Sequence, residues 1–132
     1  MANKKVAIIA SSPGLETAYK ALNIATAAAA LDAEVAIFFT FEGLSIIHKD
    51  AEHRLKLKPG NEGLAEGFAK ANVPTVPELL EMAKESGVRL IACQMTVDVM
   101  GLTKEDFIDG VELGGAATFL DFAFDAQVTL NF

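Results

Sequence analysis

Cys93 is the only cysteine in the 132-residue chain, and it closes the most apolar stretch of the C-terminal half, Val88 to Cys93. A short helix is expected straight after it, from Gln94 to Met100, with Gly101 as the stop. That order puts a lone thiol where a strand ends and a helix begins. The unpaired N–H groups of a first helical turn and the helix dipole favour the thiolate there. A thiolate attacks sulfur or peroxide, so Cys93 is the candidate nucleophile. The opposing reading is that a cysteine ending an apolar strand packs as a small hydrophobe, and apolar burial lowers the thiolate fraction. Exposure decides between the two.

The elements that must position Cys93 alternate between strand and helix. Val6 to Ala10 and Glu34 to Thr40 are short apolar runs of the kind that form strands covered on both faces. Leu15 to Leu31 reads as a helix, and its alanines at 25, 27, 28, 29 and 30 leave almost no polar face, so burial on more than one side, including against a subunit neighbour, is expected. Phe41 to Leu44 turns the chain into a short helix over Leu44 to Lys49. From Asp50 to Thr75 the pattern loosens, with turn chemistry over Lys56 to Asn61, and a mobile excursion with some helix is expected, available for assembly. A helix opens at Thr75 or Val76, with Pro77 and Glu78 in its first turn, and ends at Gly87. Thr103 and Asp106 are spaced as a helix cap. Val111 to Leu113 is a very short fourth strand, Gly114 to Asp125 is helical, and Gln127 to Phe132 alternates like an edge strand. This order predicts an α/β fold: a mainly parallel sheet with helices on both faces.

In open parallel sheets, ligands and catalytic groups gather beyond the carboxyl ends of the strands. That rule selects Ser11, Ser12 and Gly14 after the first strand, and Thr40, Glu42 and Gly43 after the second. Cys93 and Gln94 follow the third, and Gly114 and Gly115 the fourth. Cys93 is the only good nucleophile on this rim.

Two other groupings invite chemistry. Ser11 to Thr17 is a Gly-bearing turn between strand and helix, a form that can cradle phosphate. A flavodoxin-type loop would place Thr two residues after the Gly; Glu16 stands there instead and would repel phosphate, so FMN is not expected. Neither the P-loop nor the dinucleotide glycine pattern is present. His48 and His53 are five apart among Lys49, Arg54, Lys56 and Lys58, a spacing that suits a solvated basic segment better than a metal site. Met95 and Met100 are expected to pack, and Asp98 to be a plain exposed helix residue. No cofactor or metal is expected.

The chain is 52% hydrophobic and carries a net charge of −7. One packed domain over residues 1–132 follows, and nucleic acid and anionic membranes are poor partners. One cysteine excludes an internal disulfide and a Cys-based structural zinc. Val6 to Ala10 is too short for a secretory core, and Ala21 to Leu31 too short to span a bilayer, so a cytoplasmic protein is expected.

Three segments carry a resemblance: Phe38 to Leu44, Ala92 to Gly101, and Gly114 to Leu120. With them the chain resembles the DsrE/DsrF/DsrH-like family, which includes the TusBCD sulfur-relay subunits, and most closely the branch often labelled peroxiredoxin-like. The resemblance covers nearly the whole length. It implies a three-layer α/β/α domain with about five mainly parallel strands, assembled as homo- or hetero-oligomers. It further implies a persulfide carried on the cysteine of the Ala-Cys-Gln-Met motif, here Cys93, and exchanged with TusA-like or rhodanese-like partners. The chain departs from the family pattern at Glu42, where an aromatic residue is common; a carboxylate close to Cys93 would disfavour the thiolate.

Three functions compete on these residues. A sulfur carrier, possible as a sulfurtransferase, needs one nucleophilic thiolate and access for a partner thiol, and no second cysteine. A one-Cys thiol peroxidase also needs an activated cysteine, but true peroxiredoxins place Thr three residues before it, where Leu90 stands. An oligomeric binding or scaffold module would leave Cys93 as inert core.

Overall fold

Six consecutive residues with almost no polar side chain form a strand only where other structure covers both faces. In the computed structural model, which describes residues 4–132, that strand is β1 (Lys5–Ala10), hydrogen-bonded on both sides. The chain then builds α1 (Leu15–Ala30) and β2 (Glu34–Phe39). A 3₁₀ turn (Phe41–Ile46), α2 (Ala51–Arg54), α3 (Leu64–Lys70) and α4 (Val76–Glu85) lead to β3 (Arg89–Cys93). After α5 (Gln94–Val99) and a second 3₁₀ turn (Lys104–Asp106) comes β4 (Val111–Gly114), and α6 (Ala116–Ala123) carries the chain to β5 (Val128–Asn131).

The five strands form one all-parallel sheet in the order β4-β3-β2-β1-β5. The first three crossovers step one strand at a time towards β4. The last returns across the sheet to the opposite edge, beside β1.

That reversal creates two unequal layers. On one face Ile8, Ile37 and Leu90 pack with Leu22 of α1 and Leu79 and Leu80 of α4. On the other, Ala7, Ala36, Phe38, Ile91 and Cys93 meet Phe119 and Phe122 of α6. The Phe38 and Phe119 rings stack with centroids 5.2 Å apart. The fold is thus α/β with helices on both sides of a parallel sheet, as expected.

Several local expectations change. Thr17, Ala18, Ala21, Leu22 and Ala25 of α1 are buried, but Asn23, Ile24, Ala27 and Ala30 are exposed. Its small side chains let α1 lie close to the sheet and α4 rather than bury it all round. The turn after β2 starts at Phe41 because Gly43 runs against the end of β1. A Cβ there would stand 1.9 Å from the Ala10 carbonyl oxygen. The last helix starts two residues later than Gly114, because Gly114 still pairs in register with Cys93.

The segment between β2 and α4 holds two short helices, and Phe68 of α3 stacks on Tyr19 of α1 at 4.7 Å. Thr75 and Glu78 cap α4 reciprocally, at 3.2 Å and 2.9 Å. Thr103 and Asp106 cap only the second 3₁₀ turn, through the Thr103 N–H at 2.8 Å. Among the described residues no helix is long and apolar enough to cross a membrane.

Candidate functional site

β3 ends at Cys93 in extended backbone, and α5 starts at the next residue, so Cys93 is the N-cap. An N-cap side chain lies over the amides of the second and third helical residues, here Met95 and Thr96. The neutral thiol makes no capping hydrogen bond, so these amides act on the thiolate. The sulfur is on the α6 side of the sheet, among Phe38, Ile91 and Phe119, and Cys93 is only 5% exposed.

Two opposed effects set its acidity. Burial pushes the thiol pKa up. The Thr96 hydroxyl and N–H, the Thr40 hydroxyl and the Met95 N–H pull it down, and together they win, leaving it below the ordinary thiol value.

The two threonines form a connected unit. The Thr40 and Thr96 hydroxyl oxygens are 3.1 Å apart, and the Phe41 N–H donates to Thr96 Oγ1 at 3.3 Å. Thr96 is wholly buried. Phe41 reaches it in a left-handed conformation, φ 50°, which a bulky side chain adopts only where the surroundings impose it. Thr96 was not anticipated; the available signal was a polar residue three positions after an N-cap, where a helix turns back over its own start.

The model of the DsrE/DsrF/DrsH-like family matches residues 2–66 and 59–131, nearly the whole chain. The chain belongs to the DsrE/DsrF/DrsH-like family. Among its relatives, the sulfur carrier protein DsrE2 of Allochromatium vinosum is 36% identical, over 98% of this chain and 99% of that protein. The uncharacterized protein YrkE of Bacillus subtilis is 34% identical, over 96% of each. The crystal structure of the E. coli ychN protein superposes with a TM-score of 0.72, covering 98% of this chain and 99% of that one at 20% identity, which supports the fold.

Within this family member, the other rim residues divide. Thr40 reaches the sulfur environment. Gly114 lies beside Cys93 in register and is buried against Ile91 and Thr118, while Gly115 caps α6. Gly43 shapes the turn that carries Thr40 and Phe41. Glu42 is exposed, and no carboxylate is among the largest influences on the Cys93 thiol. Gln94 turns outward, donating to Asp98 at 2.9 Å.

Ser11 and Ser12 serve the end of the chain: their N–H groups donate to the Phe132 carbonyl at 2.8 Å and 3.3 Å. Gly14 caps α1 with φ 108°. Where a phosphate loop would hold its anion, Glu16 accepts from the Lys58 N–H at 2.8 Å and from Asn61 at 2.9 Å.

Met95 and Met100 are 58% and 45% exposed rather than packed. His48 is not solvated: it is buried against Phe107, and its Nδ1 accepts from the Asp50 N–H at 2.9 Å. His53 is exposed beside Asp50. Among the described residues no three His, Cys, Asp or Glu side chains group as metal ligands.

Proposed function

We propose that this protein is a sulfur carrier that holds sulfur on Cys93 and passes it to a partner protein. The observation that carries this reading is the placing of Cys93 at a helix N-cap position beside the Thr40–Thr96 hydroxyl pair, whose donors hold its pKa below the ordinary thiol value despite burial. The kinship with a named sulfur carrier adds to it.

In the transfer step the Cys93 thiolate attacks the outer sulfur of a partner persulfide. A Cys93–S bond forms, the partner S–S bond breaks, and the partner leaves as a thiolate; the reverse step unloads Cys93. With tetrathionate, which is itself the two-electron oxidant, the thiolate attacks an inner sulfur, the central S–S bond breaks, and a Cys93 thiosulfonate forms as thiosulfate leaves. The Thr40 and Thr96 hydroxyls offer hydrogen bonds to a charge on sulfur before and after each exchange. TusA-like or rhodanese-like proteins are the proposed partners, and a cytoplasmic homo-oligomer the proposed working form.

Intact-mass measurement after exposure to polysulfide or tetrathionate tests the reading. The wild type should gain whole sulfur atoms or a thiosulfonate, removable by reductant, and Cys93→Ala should gain neither. No gain, where a control thiol protein loads, would overturn it. One observation favours the scaffold alternative: the thiol is nearly hidden in the single chain. Slow alkylation, matching that of an inert core cysteine, would favour that alternative.

A further inference from the structure

The chain is acidic, yet four of its basic residues line a single cleft of about 690 Å³: Lys20 on α1, and Arg54, Lys56 and Lys58 at and after the end of α2. All four are exposed, and none forms a salt bridge among the described residues. The one acid in the lining, Glu16, is already engaged: its carboxylate accepts from the Lys58 N–H and the Asn61 amide. Those bonds hold its pKa below the usual carboxylate value. Glu16 therefore anchors the segment; its charge, felt by Lys20, offsets one of the four cations and leaves the lining net positive.

Arg54 is the last residue of α2, and Lys56 and Lys58 are alternate residues of the segment that leaves it, where Leu55 is extended and buried in the core. Alternate residues of an extended chain repeat every ~6.5–7 Å on one side. The backbone is fixed on the α1 side, where the Lys56 carbonyl accepts from the Leu15 N–H at 2.9 Å and Lys58 donates to Glu16. The charged side chains are left to solvent.

We propose that this cleft docks an extended acidic segment of a partner protein, with carboxylates at every second residue matched to Arg54, Lys56 and Lys58. A small oxyanion is the weaker fit, because it would share the cleft with the Glu16 carboxylate, whereas a peptide spreads its charges along the row. The cleft opens beside Gly14, at the carboxyl edge of the sheet. A protein seated here would lie on the α1 side of the sheet, whereas Cys93 packs with α6 on the other side. The proposal does not depend on what Cys93 carries.

Fluorescence anisotropy with a short labelled peptide bearing glutamate at every second position tests it at low ionic strength. Binding to wild type should weaken with added salt, as screened charges require. Lys56→Glu should weaken it about three- to tenfold, and Lys56→Gln by less, with circular dichroism confirming that each variant folds. Cys93→Ala should bind as wild type. Absence of binding at low salt, or equal binding by Lys56→Glu, would overturn the proposal. So would equal binding of a peptide with its glutamates consecutive, or displacement by inorganic phosphate at matched charge.

Discussion

Replacing Thr96 with valine keeps the shape of a wholly buried side chain and removes its hydroxyl. Three partners lose by it: the Cys93 thiolate, the Thr40 hydroxyl 3.1 Å away, and the Phe41 N–H at 3.3 Å. A hydrogen bond to a charged group contributes about 1.5–3 kcal/mol. Its loss at the thiolate lowers the charged population by about tenfold to a hundredfold at a pH below the thiol pKa. The more basic thiolate that remains is also the better nucleophile, with a coefficient of about 0.4–0.5. The net fall in alkylation rate at a pH below the wild-type thiol pKa is therefore about three- to tenfold. The assay is the rate of reaction with iodoacetamide against pH. The midpoint of the profile should move upward in Thr96→Val, the plateau rate at high pH should not fall, and Thr96→Ser should restore the wild-type profile. A parallel loss of rate at every pH would mean a packing change, and an unmoved midpoint would refute the assigned role of the hydroxyl.

Other consequences follow from single contacts. Gly43→Ala drives a Cβ to 1.9 Å from the Ala10 carbonyl oxygen, backbone against backbone, and should cost about 3 kcal/mol in urea unfolding; a loss under about 1 kcal/mol would sink the close approach. Gly101→Val meets nothing within 4 Å but must hold φ 67°, so its cost is conformational, about 1–2 kcal/mol, and Gly101→Asn should recover part of it. Burial, then the Arg54 charge, holds His48 below its ordinary pKa, with Asp106 and Asp50 opposing. The unfolded chain takes up that proton below about pH 6.5 while the folded one resists, so this contribution to stability is complete above that pH and is lost as pH falls below it. The urea midpoint should drop on acidification, and less so in His48→Gln; identical slopes would contradict the neutral, accepting Nδ1.

The sheet was legible because its strands are continuous apolar runs, which the parallel fold requires, and the strand and helix termini at Gly87, Cys93 and Gly101 are marked by residue type. The route of the chain was less so. Nothing in Val111–Gly114 or Val128–Asn131 says that they occupy opposite edges; that follows from which helix covers which face. The rim rule gathered residues by strand end, yet Ser11 and Ser12 are taken up by the Phe132 carbonyl and Gly14 by the start of α1. His48 looked solvated from its basic neighbours, but the pairing with Phe107 that buries it joins residues distant in the chain. Thr96 escaped notice for a related reason: its partner Thr40 is 56 residues away.

That separation explains why exposure alone does not decide the state of Cys93. Burial and activation enter the sequence reading as opposites, one raising the pKa and the other lowering it. In the folded chain they have a common source. Closing β3 against β2 brings Thr40 beside Thr96, and the same closure shields the sulfur under Phe38 and Phe119. Donors held in a dry site bind a charge more strongly than donors shared with water, so the elements that hide the thiol also supply the donors that hold its pKa below the ordinary value. The strained Phe41 belongs to this arrangement, since its N–H donates to Thr96 Oγ1 and so occupies an acceptor position, leaving the hydroxyl proton for the sulfur or for Thr40. Phe41→Gly should separate the two effects. It relieves a left-handed conformation at φ 50° and removes a half-exposed ring, while the backbone N–H stays. If the threonine pair supports the thiolate, the variant should keep a wild-type alkylation midpoint, because the Phe41 N–H that reaches Thr96 is retained. A midpoint shifted upward at unchanged plateau would instead make the Phe41 ring, and not the threonine pair, the support of the thiolate.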